Sequence, residues 1–172
     1  LASMTPSNSK YTILIVDDEP LIRKSLFEIL RMIGYQCLMV ASGEEAVEVI
    51  QKKKVDIVIS DMRLPEMSGI DLLKKIKKLQ PSIEVIMMTG FGSIETAVEA
   101  MKLKAFDYIT KPIVDDEIKL VIEKIIEKND LLQENKDLKK IAQRSKRDSF
   151  GGIIGGCSEM LTVYNLIESV AN

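Results

Sequence analysis

Five polar residues share one context, each standing at or just after the end of a short apolar run: Asp17, Asp18, Asp61, Thr89 and Lys111. Carboxylates that meet in one place repel one another, and a divalent cation relieves that repulsion. Mg²⁺ takes such oxygen ligands, while a lysine and a hydroxyl can hold phosphoryl oxygens. These residue types predict magnesium-dependent transfer of a phosphoryl group to a carboxylate.

The absence of histidine from the 172 residues narrows the chemistry further. It excludes serine and cysteine triads that depend on histidine, histidine-containing zinc sites and imidazole general bases. The two cysteines, Cys37 and Cys157, have no partner motif with metal-ligand spacing, so we expect two reduced thiols.

The composition is that of a globular protein, with 46% apolar and 29% charged residues. Lys and Arg number 24 against 26 Asp and Glu, and a net charge of −2 argues against non-specific nucleic-acid binding by the whole chain. No apolar run approaches the roughly 18 residues of a membrane span, and no secretory signal pattern opens the chain. We therefore expect a cytoplasmic protein without a membrane partner.

The elements that must position these residues alternate between strand-like and helical segments. Strands are predicted at 11–16, 36–40, 55–60, 83–88 and 106–109, and helices at 21–33, 44–51, 69–79, 94–103 and from 115 onward. The strands are continuous apolar runs, which is typical of a parallel sheet covered on both faces. The pattern predicts a doubly wound α/β fold with a five-stranded parallel sheet, whose functional crevice lies beyond the carboxyl ends of the strands.

The last helix, predicted from Asp115 to about Arg147, is too long for this domain. Its apolar residues at heptad spacing form two sets, one residue out of phase: Ile118, Ile122, Ile125 and Leu132, then Leu131, Leu138 and Ala142. Because the sheet ends before the second set, we expect a linker helix at 131–149 that forms a two-stranded coiled coil. Acids flank its basic residues, which indicates a solvated face rather than a nucleic-acid patch.

The two ends of the chain do not fit the alternating pattern. Residues 1–10 lack periodicity and are expected to be a cloning scar or a loosely held terminus. Residues 150–172 begin with paired glycines and then resume helical periodicity. This segment is too short for a core of its own, so we expect it to begin a further domain.

Four segments closely resemble receiver domains of two-component response regulators: residues 13–20 (ILIVDDEP), 60–65 (SDMRLP), 88–90 (MTG) and 107–112 (DYITKP). The resemblance extends over about residues 11–130 and implies the flavodoxin-like receiver fold. It also implies that Asp61 is the phospho-acceptor. Asp17 and Asp18 would then bind Mg²⁺ together with Asp61 and the backbone carbonyl of Arg63.

The same resemblance assigns roles at the last two strands. Thr89 and Lys111 would contact the phosphoryl oxygens, and the peptide bond between Lys111 and Pro112 would be cis. Tyr108, three residues before Lys111, matches the switch aromatic of the family and would move together with Thr89.

Residues 90–101 further resemble the NtrC branch of this family, and residues 150–171 resemble the opening of its AAA+ ATPase domain, which activates the sigma-54 form of RNA polymerase. Two positions depart from that branch. Lys104 stands where glycine is usual in the turn before the last strand, and residues 156–158 match the ATPase opening imperfectly. We interpret the chain as a regulatory fragment truncated before the body of the ATPase domain.

The resemblance implies a regulator and not an enzyme, which receives its phosphoryl group from a sensor histidine kinase. It implies a homodimer through the face of the fourth helix, fifth strand and fifth helix, continued by the linker helix. The full-length protein would contact sigma-54 RNA polymerase and DNA. This fragment would neither bind DNA nor hydrolyse ATP, since it contains no phosphate-binding Gly-x-x-x-x-Gly-Lys-Ser/Thr loop.

Two alternatives remain open from the sequence. A magnesium-dependent aspartyl phosphatase would carry a second Asp two residues after its nucleophile, where this chain has Arg63. A dimerisation module that is never phosphorylated would not need the complete acidic set.

Overall fold

The computed structural model describes residues 10–90 and 94–154, with residues 144–154 described by their backbone alone. The terminal segment expected at 1–10 lies outside the described residues except for Lys10. The predicted ATPase opening at 150–172 lies outside them beyond Ile154, and so do residues 91–93 of the segment that resembles the NtrC branch.

Five strand–helix units follow one another along the chain, as predicted. The strands are β1 Thr12–Val16, β2 Gln36–Val40, β3 Ile57–Asp61, β4 Glu84–Thr89 and β5 Asp107–Thr110. The helices are α1 Pro20–Ile33, α2 Gly43–Lys52, α3 Gly69–Leu79, α4 Ile94–Lys102 and α5 Asp115–Ile154. Apart from the end of α5, each predicted boundary lies within two residues of the observed one.

The strands form one parallel sheet in the order β2-β1-β3-β4-β5. β2 lies on one side of β1, whereas β3, β4 and β5 follow one another on its other side. The order of strands therefore reverses between β1 and β3, and in open α/β sheets ligands bind at the carboxyl ends of strands at such a point. Val16 of β1 is in register with Ser60 of β3, which brings the ends of these two strands together.

The sheet is buried on both faces. Residues that alternate along a strand point to opposite faces, and one set, including Leu14 and Val58, joins residues of α2, α3 and α4 in a single buried cluster. The other set, including Ile13 and Ile57, is fully buried outside that cluster. On that face the helices contribute the buried residues Leu26, Leu30, Ile118, Ile122 and Ile125, from α1 and α5. The continuous apolar runs thus reflect helices on both sides of the sheet.

The turn before β5 has the conformation that favours glycine, although a lysine occupies it. Lys104 has φ 67°, in the left-handed region. Its amide donates to the carbonyl of Met101, and the amide of Ala105 donates to that of Ala100. The departure from the NtrC branch at this position therefore leaves the helix-ending turn formed.

The last helix is longer than the sequence predicted. The expected end was about Arg147, where paired glycines approach, but α5 continues to Ile154. Each glycine costs a helix only about 1 kcal/mol, and extension of an existing helix is cooperative, so glycine is a weak stop signal. The chain divides into two compact units, Leu1–Ile125 and Ile126–Asn172, and this helix contributes residues to both.

The second unit has apolar side chains on its surface. Leu131, Leu132, Leu138 and Ile141 are each more than half exposed. They lie within the predicted linker, and a helix that exposes such residues lacks the buried face that stabilises most helices in proteins. No helix among the described residues combines the length and apolar character needed to cross a membrane.

Cys37 carries a free thiol in β2. The side chain is half-buried, and this burial raises the pKa of the thiol to about 11. The group is therefore a protonated thiol near neutral pH, as the predicted reduced state requires, while Cys157 lies outside the described residues.

Gly69, the first residue of α3, packs against the backbone that carries Asp61. A Cβ atom at this position would lie 2.1 Å from the carbonyl oxygen of Asp61 and 2.8 Å from Cα of Met62. We expect Gly69→Ala to lower the free energy of unfolding by roughly 2–4 kcal/mol, because backbone atoms must move to admit the methyl group. Urea unfolding followed by circular dichroism measures the change.

Gly90 provides the matched control, since a Cβ there would meet no atom of the described residues within 4 Å. We expect Gly90→Ala to change the stability by less than about 0.5 kcal/mol. Equal effects of the two substitutions would contradict the assignment of close backbone packing at Gly69.

Candidate functional site

The candidate site lies where β1 and β3 end side by side. Asp17 directly follows β1 and is fully buried, while Asp61 is the last residue of β3 and is 5% exposed. The amide of Glu19 donates to Asp17 Oδ1 at 2.8 Å, and the amide of Arg63 donates to Asp61 Oδ1 at 3.0 Å. Backbone amides two residues downstream thus orient both carboxylates through Oδ1 and leave the two Oδ2 atoms for other contacts.

Lys111 joins these carboxylates. Its Nζ lies 2.5 Å from Asp61 Oδ2, 2.9 Å from Asp17 Oδ2 and 3.4 Å from Glu19 Oε1. The lysine follows β5, and its amide donates to the carbonyl of Thr89 at 2.6 Å, which fixes its backbone against the end of β4. The peptide bond between Lys111 and Pro112 is cis, which confirms the prediction.

Burial and ion pairing act in opposite directions on the charges of the site. Burial is the largest influence on Asp17 and raises the pKa of this carboxyl above its ordinary 3.8, although the Lys111 ammonium and the amide of Glu19 act to lower it. Burial by itself would lower the pKa of Lys111, but contacts with Asp61 and Asp17 raise it above its usual value. The ammonium is therefore charged at any physiological pH, whereas burial opposes ionisation of the Asp17 carboxyl.

The site fits a hard divalent cation. One carboxylate oxygen from each of Asp17, Glu19 and Asp61 lies within 4.8 Å of the other two. Asp17 Oδ2 is buried and accepts no aligned hydrogen bond from the described residues, although the Lys111 ammonium lies close to it. A buried, incompletely satisfied carboxylate among other oxygen donors is the ligand set that Mg²⁺ uses in proteins.

The predicted site residues do not all meet in this group. Asp17, Asp61 and Lys111 do, and Thr89 is buried at the end of β4, where its carbonyl accepts the amide of Lys111. Asp18 is exposed and contributes no oxygen to the carboxylate cluster. The carbonyl of Arg63 stays a predicted ligand.

Tyr108 of β5 lies beside the same strand end. It is in register with Met87, two residues before Thr89, so Tyr108 and Thr89 project from the same face of the sheet. Its ring packs on the core cluster below α4, and its hydroxyl is buried without a hydrogen-bond partner among the described residues. A buried hydroxyl without such a partner would gain a hydrogen bond if the side chain moved to a polar group or to water.

Glu19 is the functional candidate that the sequence analysis missed. It directly follows the predicted acidic pair, and Pro20 begins α1 immediately after it. Glu19 occupies the N-cap position of that helix, but its side chain makes no capping hydrogen bond and approaches Lys111 instead. The signal available in the sequence was the third consecutive acid before a helix-starting proline.

The burial of Asp17 has a consequence for stability. The folded state binds a proton at this carboxyl more readily than the unfolded chain does, so its contribution to stability falls as the pH rises from 3.8 through the raised pKa. We expect Asp17→Asn, which removes the charge and keeps the shape, to raise the free energy of unfolding at neutral pH. The advantage should vanish when the pH falls below about 3.8, the ordinary pKa of the group.

Urea unfolding in the presence of a chelator, at neutral and acidic pH, measures this difference. Asp116→Asn is the control, because the side chain of Asp116 is 95% exposed. A wild type more stable than Asp17→Asn at neutral pH would show that the contact with Lys111 outweighs the cost of burying the carboxylate.

Comparison with known proteins agrees with this geometry. Residues 13–123 match the family model of the response regulator receiver domain. The chain belongs to the response regulator receiver family. Receiver domains of this family bind Mg²⁺ at an acidic pocket and are phosphorylated by sensor histidine kinases.

The relatives place the chain in the NtrC branch, as predicted. A protein of Rickettsia felis named as an NtrX-like response regulator is 36% identical over 167 residues, which cover 95% of this chain and 34% of the relative. The transcriptional regulatory protein ZraR of Salmonella typhimurium is 42% identical over 117 residues, which cover 68% of this chain and 26% of the relative. The chain thus spans about a third or less of the length of these relatives.

A solved structure confirms the fold class. The response regulator receiver domain protein from Clostridium thermocellum superposes with a TM-score of 0.68 at 35% sequence identity. The match covers 71% of this chain and 98% of that chain. The five-stranded parallel sheet with its helices is therefore the receiver fold, and α5 extends it with a long C-terminal helix.

Proposed function

We propose that this chain is the phosphorylation-controlled receiver of a sigma-54-type transcription activator, with Asp61 as its phospho-acceptor. The observation that carries the proposal is the position of Asp61 at the switch point of the sheet, with its Oδ2 2.5 Å from the Lys111 ammonium. A nucleophilic carboxylate beside a fixed cation is suited to receive a group that brings negative charge.

In the proposed reaction, a carboxylate oxygen of Asp61 attacks the phosphorus of a phosphohistidine on the partner kinase. A bond forms between that oxygen and phosphorus, and the phosphorus–nitrogen bond breaks with its electron pair passing to the imidazole. The 172 residues contain no histidine, so none of them can carry the phosphohistidine that serves as donor. Mg²⁺ would offset the negative charges that meet there, held by Asp17, Asp61 and the carbonyl of Arg63 together with Asp18, whose exposed side chain has to turn toward the group to bind the ion.

Lys111 and Thr89 hold the product in this proposal. The ammonium already lies among three carboxylates and needs little movement to reach a phosphoryl oxygen on Asp61. Thr89 donates its hydroxyl to another phosphoryl oxygen, and Tyr108, on the same face of the sheet, follows into the space this movement opens. About −1.5 to −2 units of charge arrive at the site, which biases the face formed by α4, β5 and α5.

That face is suited to pairing with a second copy. Its helices expose large apolar side chains: Ile94, Val98 and Met101 on α4 and Leu120 on α5. Ile94, Val98 and Met101 lie at helical spacing on one face of α4, and exposed apolar side chains that share a face mark interaction surfaces. We therefore assign the homodimer interface to this face and to the linker helix at 131–149.

The heptad positions of the linker favour a parallel, in-register pair of helices. With Leu131 and Leu138 at position d, Asn135 falls at position a, where a single asparagine specifies two-stranded pairing and register. Glu134 then occupies position g and Lys139 position e, so each Glu134 faces Lys139 of the opposite helix. The apolar residues of this seam are exposed within the single chain, as an unpaired coiled-coil strand requires.

The rest of the protein is assigned by the same proposal. Residues 11–130 form the receiver, 131–149 the linker and 150–172 the opening of an AAA+ domain, whose complete form would contact sigma-54 RNA polymerase and DNA in the cytoplasm. We expect the 172 residues to hydrolyse no ATP, since they contain no phosphate-binding Gly-x-x-x-x-Gly-Lys-Ser/Thr loop, and we assign the DNA contacts of the full-length protein to other residues.

Asp61→Asn tests the phospho-acceptor. Incubation of the wild type with acetyl phosphate and Mg²⁺ should add the mass of one phosphoryl group, and the substitution should abolish this addition because an amide is not a nucleophile here. Intact-protein mass spectrometry measures the product. Asp116→Asn, on the exposed surface of α5, should be labelled like the wild type.

Other outcomes identify the alternative functions. Sustained hydrolysis of many phosphate esters by the wild type would favour the aspartyl phosphatase. A wild type that takes no label with Asp61 intact would favour the unphosphorylated dimerisation module.

The double substitution Leu131→Ala and Leu138→Ala tests the linker seam. It removes the d-position side chains but keeps helix propensity high, so we expect the dimer to dissociate at least tenfold more readily, on the order of 1–3 kcal/mol of lost apolar burial. Sedimentation equilibrium with and without beryllofluoride measures the constant.

The matched control is Gln133→Ala with Lys140→Ala, on the opposite face of the same helix. It should leave the dimer unchanged. Equal dissociation constants for the two double variants would exclude the seam as an interface.

A further inference from the structure

Glu19 is the outermost carboxylate of the acidic group. Its side chain is 60% exposed, whereas the side chain of Asp61 is 8% exposed and that of Asp17 is fully buried. The order from solvent inward is therefore Glu19, then the ammonium of Lys111 at 11% exposure, then the two buried carboxylates.

The backbone fixes Glu19 in this place. Its amide donates to Asp17 Oδ1 at 2.8 Å, and Pro20 follows as the first residue of α1. The guanidinium of Arg23, one turn along that helix, donates to the carbonyl of Asp17 at 2.5 Å. These contacts hold the backbone on both sides of Glu19, and its Oε1 lies 3.4 Å from Lys111 Nζ instead of capping the helix.

We propose that Glu19 is a specificity-determining residue that opposes transfer from small, highly charged phosphoryl donors while strengthening the attraction of the site for divalent cations. This inference rests on the proposed phospho-acceptor role of Asp61. Two effects of the carboxylate combine, since it repels an anion that approaches Asp61 and it engages the ammonium that must bind the phosphoryl oxygens.

The reaction that reveals the effect is balanced without any further reactant. A carboxylate oxygen of Asp61 bonds to the phosphorus of acetyl phosphate, and the bond from phosphorus to the acetyl oxygen breaks, releasing acetate. Near neutral pH acetyl phosphate is a dianion and phosphoramidate a monoanion. The exposed carboxylate of Glu19 should therefore slow phosphoryl transfer from acetyl phosphate more than transfer from phosphoramidate.

Glu19→Gln removes the charge and keeps the length of the side chain. With Mg²⁺ in excess, we expect acetyl phosphate to label this variant about threefold to tenfold faster than the wild type at low ionic strength. The gain should be smaller with phosphoramidate and should shrink as salt is added. In calorimetric titration without a donor, the same variant should bind Mg²⁺ more weakly by a few-fold.

Two further variants separate a charge effect from a structural one. Glu28→Gln makes the same change on an exposed position of α1 that pairs only loosely with Lys24, at 3.9 Å, and should match the wild type. Glu19→Asp keeps the charge and should stay within about twofold of the wild type. Opposite changes for the anion and the cation would not follow from a local loss of structure.

The possible failures are distinguishable. A wild type that takes no label at all would overturn the phospho-acceptor role and this inference with it. A labelled wild type whose rate equals that of Glu19→Gln with both donors and at every salt concentration would overturn the role of Glu19 alone.

Discussion

Crowding of carboxylates around one ammonium is the interaction on which the rest of this structure depends. Asp17 and Asp61 lie at the ends of adjacent buried strands, and Lys111 holds them at 2.9 and 2.5 Å. The group is poorly satisfied in one respect, since burial raises the pKa of Asp17 and its Oδ2 accepts no aligned hydrogen bond from the part of the chain that the structure describes. Buried charge of this kind is costly unless it is paired. The incompletely paired carboxylate of Asp17 is therefore suited to bind a cation, and the ammonium of Lys111 is suited to bind a phosphoryl group.

The sheet topology brings this group together from distant parts of the chain. Reversal of strand order between β1 and β3 opens the crevice at their carboxyl ends. The loop after β5 then delivers Lys111 across β4, with its amide bonded to the carbonyl of Thr89. Phosphorylation of Asp61 would therefore act first on β4 and β5. Tyr108 belongs to β5, and α4, which connects these two strands, carries exposed apolar side chains. The site and the proposed dimer face thus share the same two strands.

Much of this arrangement follows from residue pattern because strands buried on both faces must be apolar throughout. The runs that end at Asp17 and Asp61 predict both the sheet and its acidic edge. The residue pattern does not predict that Glu19, and not Asp18, lies beside Lys111. That outcome depends on a turn in which the amide of Glu19 donates to the Asp17 carboxylate. The end of α5 at Ile154 was also missed, because the cost of glycine is small beside the cooperativity of a long helix.

The proposal that the acidic site controls pairing along the linker seam requires that Asp61 carry the phosphoryl group. Reductive trapping tests that claim most directly, because borohydride converts an aspartyl phosphate to homoserine and leaves free carboxylates unchanged. After treatment with acetyl phosphate and Mg²⁺, peptide sequencing by tandem mass spectrometry should find homoserine at position 61 and at no other aspartate. Homoserine at position 17 or 18, or none at all after confirmed labelling, would contradict the account.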